Sequence, residues 1–556
     1  MKRALVASLC FLAISPVLFS QERVKNLILM IPDGTSSNIL SLARWYRFGI
    51  CRADNCRLAI DPHICGMVST YNSDSPIGDS APTGSTYATG YLSNTGFVAT
   101  YPVSSGKMRD LVEVDPLRAY HPLFTILEAA RIQGKSTGLV VTSEFPHATP
   151  ADFSAHTPDR DDEEGIAAQM VYNHLNVVFG GGLQYLDPAH RKDGQNLFNI
   201  LRTRNYRLVS TVNEFDALTP FDTLVYGLFT EKYLPNDLDR DPDQVPSLAE
   251  MTRKAIKILA ENPKGFFLMV EGSKIDWSAH QNDPVGIVTE YLAFDDAVKE
   301  AMDFANRDGY TAVVIVPDHG NSGISLGNSR SNSNYDVLPL LDLLQPLYHC
   351  KKTVEWISDA VMENPEKTEQ IFFDNTGIRL TFEEIEQVTL ALHSDNPYLL
   401  PITLAHLINQ NTYIGFTTHG HTGEDVLLAV YHPGQYRPSG VIKNTRLHQY
   451  MTEILATPDL DSLTAARFCI DTLALQGVAW TIQHAGDERA HLVISLPKDT
   501  RIRAEVVAST DYITIIRKEK PVQTIPLGSL ALYVESLGHF FIPANLGERL
   551  RNEILP

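Results

Sequence analysis

Six short segments of this chain place carboxylates, imidazoles or a hydroxyl where an apolar run gives way to a turn. They are LILMIPDG (27–34), GDSAPTG (78–84), FPHATPADFSAHTPDR (145–160), FFLMVEGSKIDWSAH (266–280), AVVIVPDHG (312–320) and HGHTGEDV (419–426). Asp276 and His280 stand at i and i+4, so a helix there stacks a carboxylate and an imidazole on one face, within reach of one metal ion. Their alternative is a surface Asp/His pair, against which stands Glu271, an acid ending the apolar run just before them. Asp318 and His319 offer adjacent oxygen and nitrogen ligands on a turn after a strand. Asp33 reads alone as either a ligand or the cap of a helix starting near Ser36. His421 competes with His419 for the same role. With oxygen and imidazole donors and no thiolate set, zinc and magnesium fit better than copper or an iron–sulfur cluster.

Ser80 precedes small residues and Pro82, an ordinary helix start that also puts a hydroxyl at the positive end of the helix dipole. Coordination to a metal would activate that hydroxyl without a histidine base, making it a nucleophile. Arg160 can clamp two oxygens of a phosphate with its planar fork, or pair on the surface with Asp159, Asp161 or Asp162. Together these residues imply hydrolysis of a phosphate ester.

The elements needed to hold them follow from the apolar runs. Strand-length runs at Leu27–Ile31, Thr137–Thr142, Asn176–Phe179, Phe266–Val270, Ala312–Val316 and Val426–Tyr431 alternate with helical patterns at Leu123–Ile132 and Ile287–Ala305. This predicts an α/β core with a largely parallel sheet covered on both faces. Ligands of such sheets bind beyond the carboxyl ends of the strands, where Asp33, Glu271 and Asp318 fall. Residues 323–415 open on a Ser/Asn-rich stretch and continue with helical pattern such as Phe382–Leu392, which predicts an inserted cap region within a catalytic domain spanning 21–456. After a helix at Leu447–Leu455, the tail 457–556 carries β-like runs at Leu492–Leu496 and Ile513–Ile516 and reads as a small accessory module.

The composition of the 556 residues, 44% hydrophobic and 20% charged, excludes a disordered or fibrous chain. A formal charge of −20 argues against nucleic acid or an anionic membrane as partner. Lys2 and Arg3 followed by the apolar run Ala4–Phe19 predict a signal peptide over 1–20 and export to a periplasmic or secreted location. No later segment has the length of a transmembrane span. Export would remove Cys10 and leave Cys51, Cys56, Cys65, Cys350 and Cys469, read as structural thiols or one bridge within the first three.

From about residue 24 to 455 these motifs resemble the alkaline phosphatase family. DSA, HATPADFSAH followed by Arg160, VEGSKIDWSAH, DH after a strand, and HTGEDV occur in the family's order. The resemblance implies a three-layer α/β/α sandwich and hydrolysis of phosphate monoesters through a phosphoserine on Ser80. It implies one zinc held by Asp276, His280 and His421, and a second held by Asp33, Asp318 and His319. A magnesium ion would be held by Asp33, Thr149 and Glu271, with Arg160 as the phosphate clamp. It also places His147 and Trp277 near the third ion and the phosphate, where some members carry an acidic and a basic residue and others carry His and Trp. The set of Thr149, Glu271 and Arg160 favours monoesters over the diesters or sulfates of related enzymes. A homodimer is left open.

Overall fold

A computed structural model of the chain describes residues 23–51, 57–106, 110–484, 489–495 and 502–552; the predicted leader, Cys10 and Cys56 lie outside them. The first run of apolar residues forms β1 (Asn26–Pro32), and the next strand is β2 (Ile64–Ser69). The central strands follow as β3 (Ser136–Glu144), β4 (Val177–Gly181), β5 (Arg207–Val209), β6 (Val225–Leu228), β7 (Phe266–Gly272) and β8 (Thr311–Ile315). Four two-residue strands come next: β9 (Gly320–Asn321), β10 (Ser325–Leu326), β11 (Ile414–Gly415) and β12 (His421–Thr422). The core closes with β13 (Val426–Tyr431) and β14 (Gly440–Lys443).

Ten of these strands form one sheet in the order β14-β2-β13-β8-β1-β7-β3-β4-β6-β5. Neighbours pair in parallel except at β13, which runs antiparallel to both β2 and β8. The strands are apolar without alternation because both faces are covered. Ile28 and Met30 of β1, Leu268 and Val270 of β7, and Val313 and Ile315 of β8 face one core, with helices Leu248–Leu259 and Pro284–Asp308. Leu27, Leu29 and Ile31, Phe267 and Met269, and Ala312 and Val314 face the other, with helices Ile126–Ile132, Glu163–Tyr172 and Asn444–Leu455. The result is the three-layer sandwich expected.

Between β10 and β11 the chain makes an excursion of five helices, from Leu340–His349 to Leu399–Asn409. Its apolar residues, including Leu347, Ile357 and Leu404, are continuous with the first core. Two ribbons clamp the root of the excursion: Ser325 pairs with Gly415, and His421 pairs with Asn321. The tail forms a seven-stranded antiparallel sheet that packs on the body through Phe468, Leu530 and Phe541 against Phe124 and Tyr172. Among the described residues no helix is long and apolar enough to cross a membrane. Cys51 is disulfide-bonded, whereas Cys65, Cys350 and Cys469 are free thiols.

Candidate active site

The carboxyl ends of β1, β7 and β8 lie side by side, since Met30 is in register with both Val270 and Ile315. Asp33, Glu271 and Asp318 therefore emerge at one rim and are fully buried there. Gly34 makes the turn after Asp33 with φ +59°, a left-handed conformation that favours glycine, and a Cβ there would sit 2.2 Å from Asp276 Oδ1. Its N–H donates to Asp318 Oδ1 at 3.1 Å, and that oxygen also accepts the His319 N–H at 3.0 Å.

The predicted ligands gather in two clusters, Asp276 with His280 and His421, and Asp33 with Asp318 and His319; within each, the donor atoms lie within 4.8 Å of one another. His280 Nε2 is 3.2 Å from Asp276 Oδ2 and 3.1 Å from His421 Nε2. His319 Nε2 is 3.4 Å from Asp318 Oδ2 and 3.6 Å from Asp33 Oδ1. The rings of His319 and His421 stack with centroids 3.7 Å apart, so the two clusters adjoin.

All three imidazoles are oriented by backbone carbonyls. Nδ1 of His280 meets the His419 carbonyl at 2.6 Å, Nδ1 of His421 the Gly78 carbonyl at 2.9 Å, and Nδ1 of His319 the Gly320 carbonyl at 3.2 Å. A carbonyl only accepts, so this network assigns the proton of each neutral ring to Nδ1 and leaves the Nε2 lone pair facing its cluster. The structure thereby separates His421 from His419. The His419 side chain turns away, with Nδ1 donating to the His280 carbonyl at 3.0 Å.

Buried carboxylates without partners mark where positive charge is missing. Both oxygens of Asp33, both of Glu271, Oδ2 of Asp318 and the hydroxyl of Thr149 are buried without a hydrogen bond of standard geometry. Burial, then Asp318, Asp276 and Glu271, hold the Asp33 carboxyl far above the usual range. Burial pushes Glu271 up to about 8, and the Thr149 and Ser273 hydroxyls beside it offset only part of that. Against the same burial, His280 and then His319 and His421 hold Asp276 down, while Asp276 raises His280 to about 9. Isolated buried charges of this density are costly, and cations among them would satisfy the orphaned oxygens.

Ser80 is the first residue of the helix Ser80–Thr89, and its Oγ lies 3.4 Å from His319 Nε2. Every residue of that helix is buried. Its small side chains permit close packing, and three bonds hold it: Ser85 Oγ donates to Asp152 Oδ1 at 2.7 Å, Tyr87 O–H to the Pro317 carbonyl at 2.8 Å, and His448 Nδ1–H to the Tyr87 carbonyl at 2.9 Å. Asp79 occupies the cap position without making a cap bond; its Oδ1 instead accepts from Arg160 Nη1 at 2.9 Å. Arg160 thus lies beside Ser80 and pairs with none of Asp159, Asp161 or Asp162, and its second nitrogen reaches His147 Nε2 at 3.5 Å. Burial and then Arg160 press His147 down to about 3, so its ring is neutral.

Trp277 meets the His147 ring edge-on at 5.7 Å and Tyr233 at 4.9 Å. Beneath Trp277 lies Lys274, fully buried, its Nζ 4.8 Å from the indole and 4.2 Å from the Tyr233 ring. Glu355 from the helical excursion takes that ammonium at 2.8 Å. The structure thus brings all twelve sequence-predicted residues to one region. It adds Asn321, whose Nδ2 donates to Asp276 Oδ1 at 2.6 Å, and the Lys274–Glu355 pair. The proximity of Asn321 to the Asp318-His319 pair was a usable signal, but nothing local pointed to Glu355.

The alkaline phosphatase family model matches residues 24–457. Alkaline phosphatase 3 of Bacillus subtilis is 34% identical over 444 residues, covering 77% of this chain and 88% of its own length. Among solved structures, the alkaline phosphatase of Thermus thermophilus superposes with TM-score 0.69 at 26% identity, covering 79% of this chain and 92% of that one. The cold-active enzyme of a psychrophilic Shewanella superposes at 0.65 with 28% identity, covering 78% and 100%. The family's motifs and the buried, cation-seeking rim coincide in one place, and the chain belongs to the alkaline phosphatase family.

Proposed function

We propose that this chain hydrolyses phosphate monoesters through a phosphoserine on Ser80, with two zinc ions and one magnesium ion as cofactors. The observation that carries the reading is Ser80 Oγ at 3.4 Å from His319 Nε2, at the junction of two ligand clusters whose rings stack. Asp276, His280 and His421 would hold one zinc, and Asp33, Asp318 and His319 the other, as mixed nitrogen and oxygen sets. Asp33, Thr149 and Glu271 form an all-oxygen set, which suits magnesium. Bound there, the ions would lower the proton affinity of the serine hydroxyl and neutralise charge on the phosphate oxygens.

The chain's own residues do the rest. Arg160 keeps donors free beyond the one spent on Asp79 and binds two phosphate oxygens. The neutral His147, its ring packed edge-on with Trp277, meets the guanidinium at 3.5 Å. Ser80 Oγ, fixed by its helix, bonds to phosphorus as the bond to the alcohol oxygen breaks; the serine proton is given up and the alcohol leaves protonated. Water then cleaves the P–Oγ bond, restoring Ser80 and releasing inorganic phosphate. The disulfide at Cys51 supports an oxidising compartment, in keeping with export directed by the predicted leader.

The test is release of p-nitrophenol from p-nitrophenyl phosphate, set against its bis-ester and sulfate, at alkaline pH with and without chelator. The monoester is expected to be favoured and its turnover to stop on chelation. Ser80→Ala should abolish turnover while keeping the metal content of the wild type. A variant retaining most of the wild-type rate would remove Ser80 from the nucleophile role.

A further inference from the structure

The helix Ser80–Thr89 carries a second buried hydroxyl that the chemistry at Ser80 does not use. Ser85, five residues after Ser80 and fully buried, donates Oγ–H to Asp152 Oδ1 at 2.7 Å and accepts the Ala99 N–H at 2.7 Å. Asp152 is fully buried too, at the end of the short helix Ala148–Ala151 that carries Thr149. A Cβ on Gly84 would sit 2.2 Å from Asp152 Oδ2, so glycine, a weak residue in a helix interior, is what lets the carboxyl lie against this helix.

The Ala99 end of the contact leads to the phosphate clamp. Ala99 is held at φ +38°, a conformation that a residue with a Cβ rarely adopts and keeps only where its surroundings fix it. One residue earlier, Val98 exchanges both backbone hydrogen bonds with Thr157, at 2.8 and 3.0 Å, and the Gly96 carbonyl accepts the Arg160 N–H at 2.9 Å. The main chain of Arg160 is thus zipped onto residues 96–99, and that segment hangs from Ser85. Arg160 therefore has two attachments to one helix. Its guanidinium meets Asp79 at the helix cap, and its backbone reaches Ser85 through residues 96–99. Six residues separate Asp79 from Ser85, about 9 Å along a helix axis, enough to set the direction of the clamp as well as its place.

We propose that Ser85, seated on Asp152, is a positioning residue of the phosphate clamp: it sets the main chain of Arg160 against the helix that presents Ser80. The inference rests on the phosphomonoesterase reading above. Among the described residues the hydrogen bonds of Ser85 go to Asp152, to Phe97 and Ala99 and to Thr89, and none reaches a ligand cluster. Burial raises the Asp152 carboxyl well above its ordinary value. Asparagine, neutral and of the same shape, keeps the acceptor that the Ser85 hydroxyl needs.

The experiment measures the inhibition constant of inorganic phosphate, with p-nitrophenyl phosphate as substrate. The variants are Ser85→Ala, Asp152→Ala, Asp152→Asn, Arg160→Ala and the double variant Ser85→Ala with Arg160→Ala. Ser85→Ala should raise the constant about three- to tenfold, with Asp152→Ala moving in the same direction and Asp152→Asn staying within about twofold of wild type. In the Arg160→Ala background Ser85→Ala should add less than about twofold, because a residue that acts through Arg160 then has nothing left to position. A merely structural role would leave the two effects multiplicative. Multiplicative effects, a constant within about twofold of wild type in Ser85→Ala, or an asparagine variant as impaired as Asp152→Ala each overturn the proposal and leave the phosphomonoesterase reading standing. If Ser85→Ala does not fold, Asp152→Ala takes its place in the same two backgrounds. A wild-type chain that neither hydrolyses the ester nor binds phosphate overturns the reading beneath the proposal as well.

Discussion

His421 and His419 lie two residues apart, and replacing each by alanine should separate their roles by metal content. In the folded chain His421 donates Nδ1–H to Gly78 and turns Nε2 towards Asp276 and His280, at 3.7 and 3.1 Å. His421→Ala removes one of the three proposed ligands and leaves Asp276 and His280 without its imidazole. The His419 side chain contributes nothing to the cluster; its carbonyl does, by holding Nδ1 of His280 at 2.6 Å, and alanine keeps that carbonyl. Loss of an outer orienting group costs about 10- to 100-fold in metal affinity. His419→Ala retains the orienting atom and should stay below about tenfold, whereas His421→Ala loses a direct ligand and should exceed about 100-fold, or about 2.7 kcal/mol. Elemental analysis of the purified variants after dialysis reads this directly. His421→Ala should lose about one zinc per chain, and His419→Ala should retain the wild-type content. Zinc lost from His419→Ala and kept in His421→Ala would refute the tautomer argument, and loss from neither would take this loop out of the site.

Arg160→Ala removes the bidentate donor beside Ser80, and charge-assisted hydrogen bonds of about 1.5–3 kcal/mol translate into a rise of roughly 10- to 150-fold in the inhibition constant of inorganic phosphate; unchanged inhibition would detach Arg160 from the phosphate. Burial lowers His448, which holds the C-terminal end of the helix Ser80–Thr89, to about 4 from an ordinary 6.5. The unfolded chain takes up this proton below about pH 6.5 while the native chain refuses it until about pH 4, so the contribution is complete above pH 6.5 and falls away towards pH 4, by about 3 kcal/mol in total. Thermal unfolding across that window should show a shallower acid decline in His448→Asn than in wild type. Glu355→Ala strands the buried Lys274 ammonium and should destabilise by about 3–5 kcal/mol, and Lys274→Met added to it should recover much of the loss, as read by denaturant unfolding.

Strand existence was legible because burial on both faces writes an uninterrupted apolar run, and β1, β3, β7, β8 and β13 all lie on such runs. Short or weakly apolar strands escaped, among them β5 (Arg207–Val209) and β14, which is largely exposed. The parallel sheet was anticipated, but the reversal of β13 was not, since nothing in VLLAVY states a direction. That reversal decides the site. Because β13 runs against β8, the segment before it, with His421, begins at the rim where the parallel strands end. Had β13 run parallel to β8, its start would lie at the opposite edge of the sheet.

The sequence by itself determined which residues are candidates for chemistry and where each stands within its own segment. A carboxylate ending a buried run and an acid and imidazole at i and i+4 are local patterns, set by the period of the strand and the helix. Only the tertiary structure decided the partners. The carbonyl that orients His421 lies 343 residues away at Gly78, Asp79 meets Arg160 across 81 residues, and Glu355 reaches Lys274 across another 81 from a lobe with no catalytic motif. These pairings depend on strand order, strand direction and the two ribbons that bring the excursion back to the rim. Local periodicity records burial alone, and a long-range contact follows only once the whole sheet has fixed which ends of the chain share an edge.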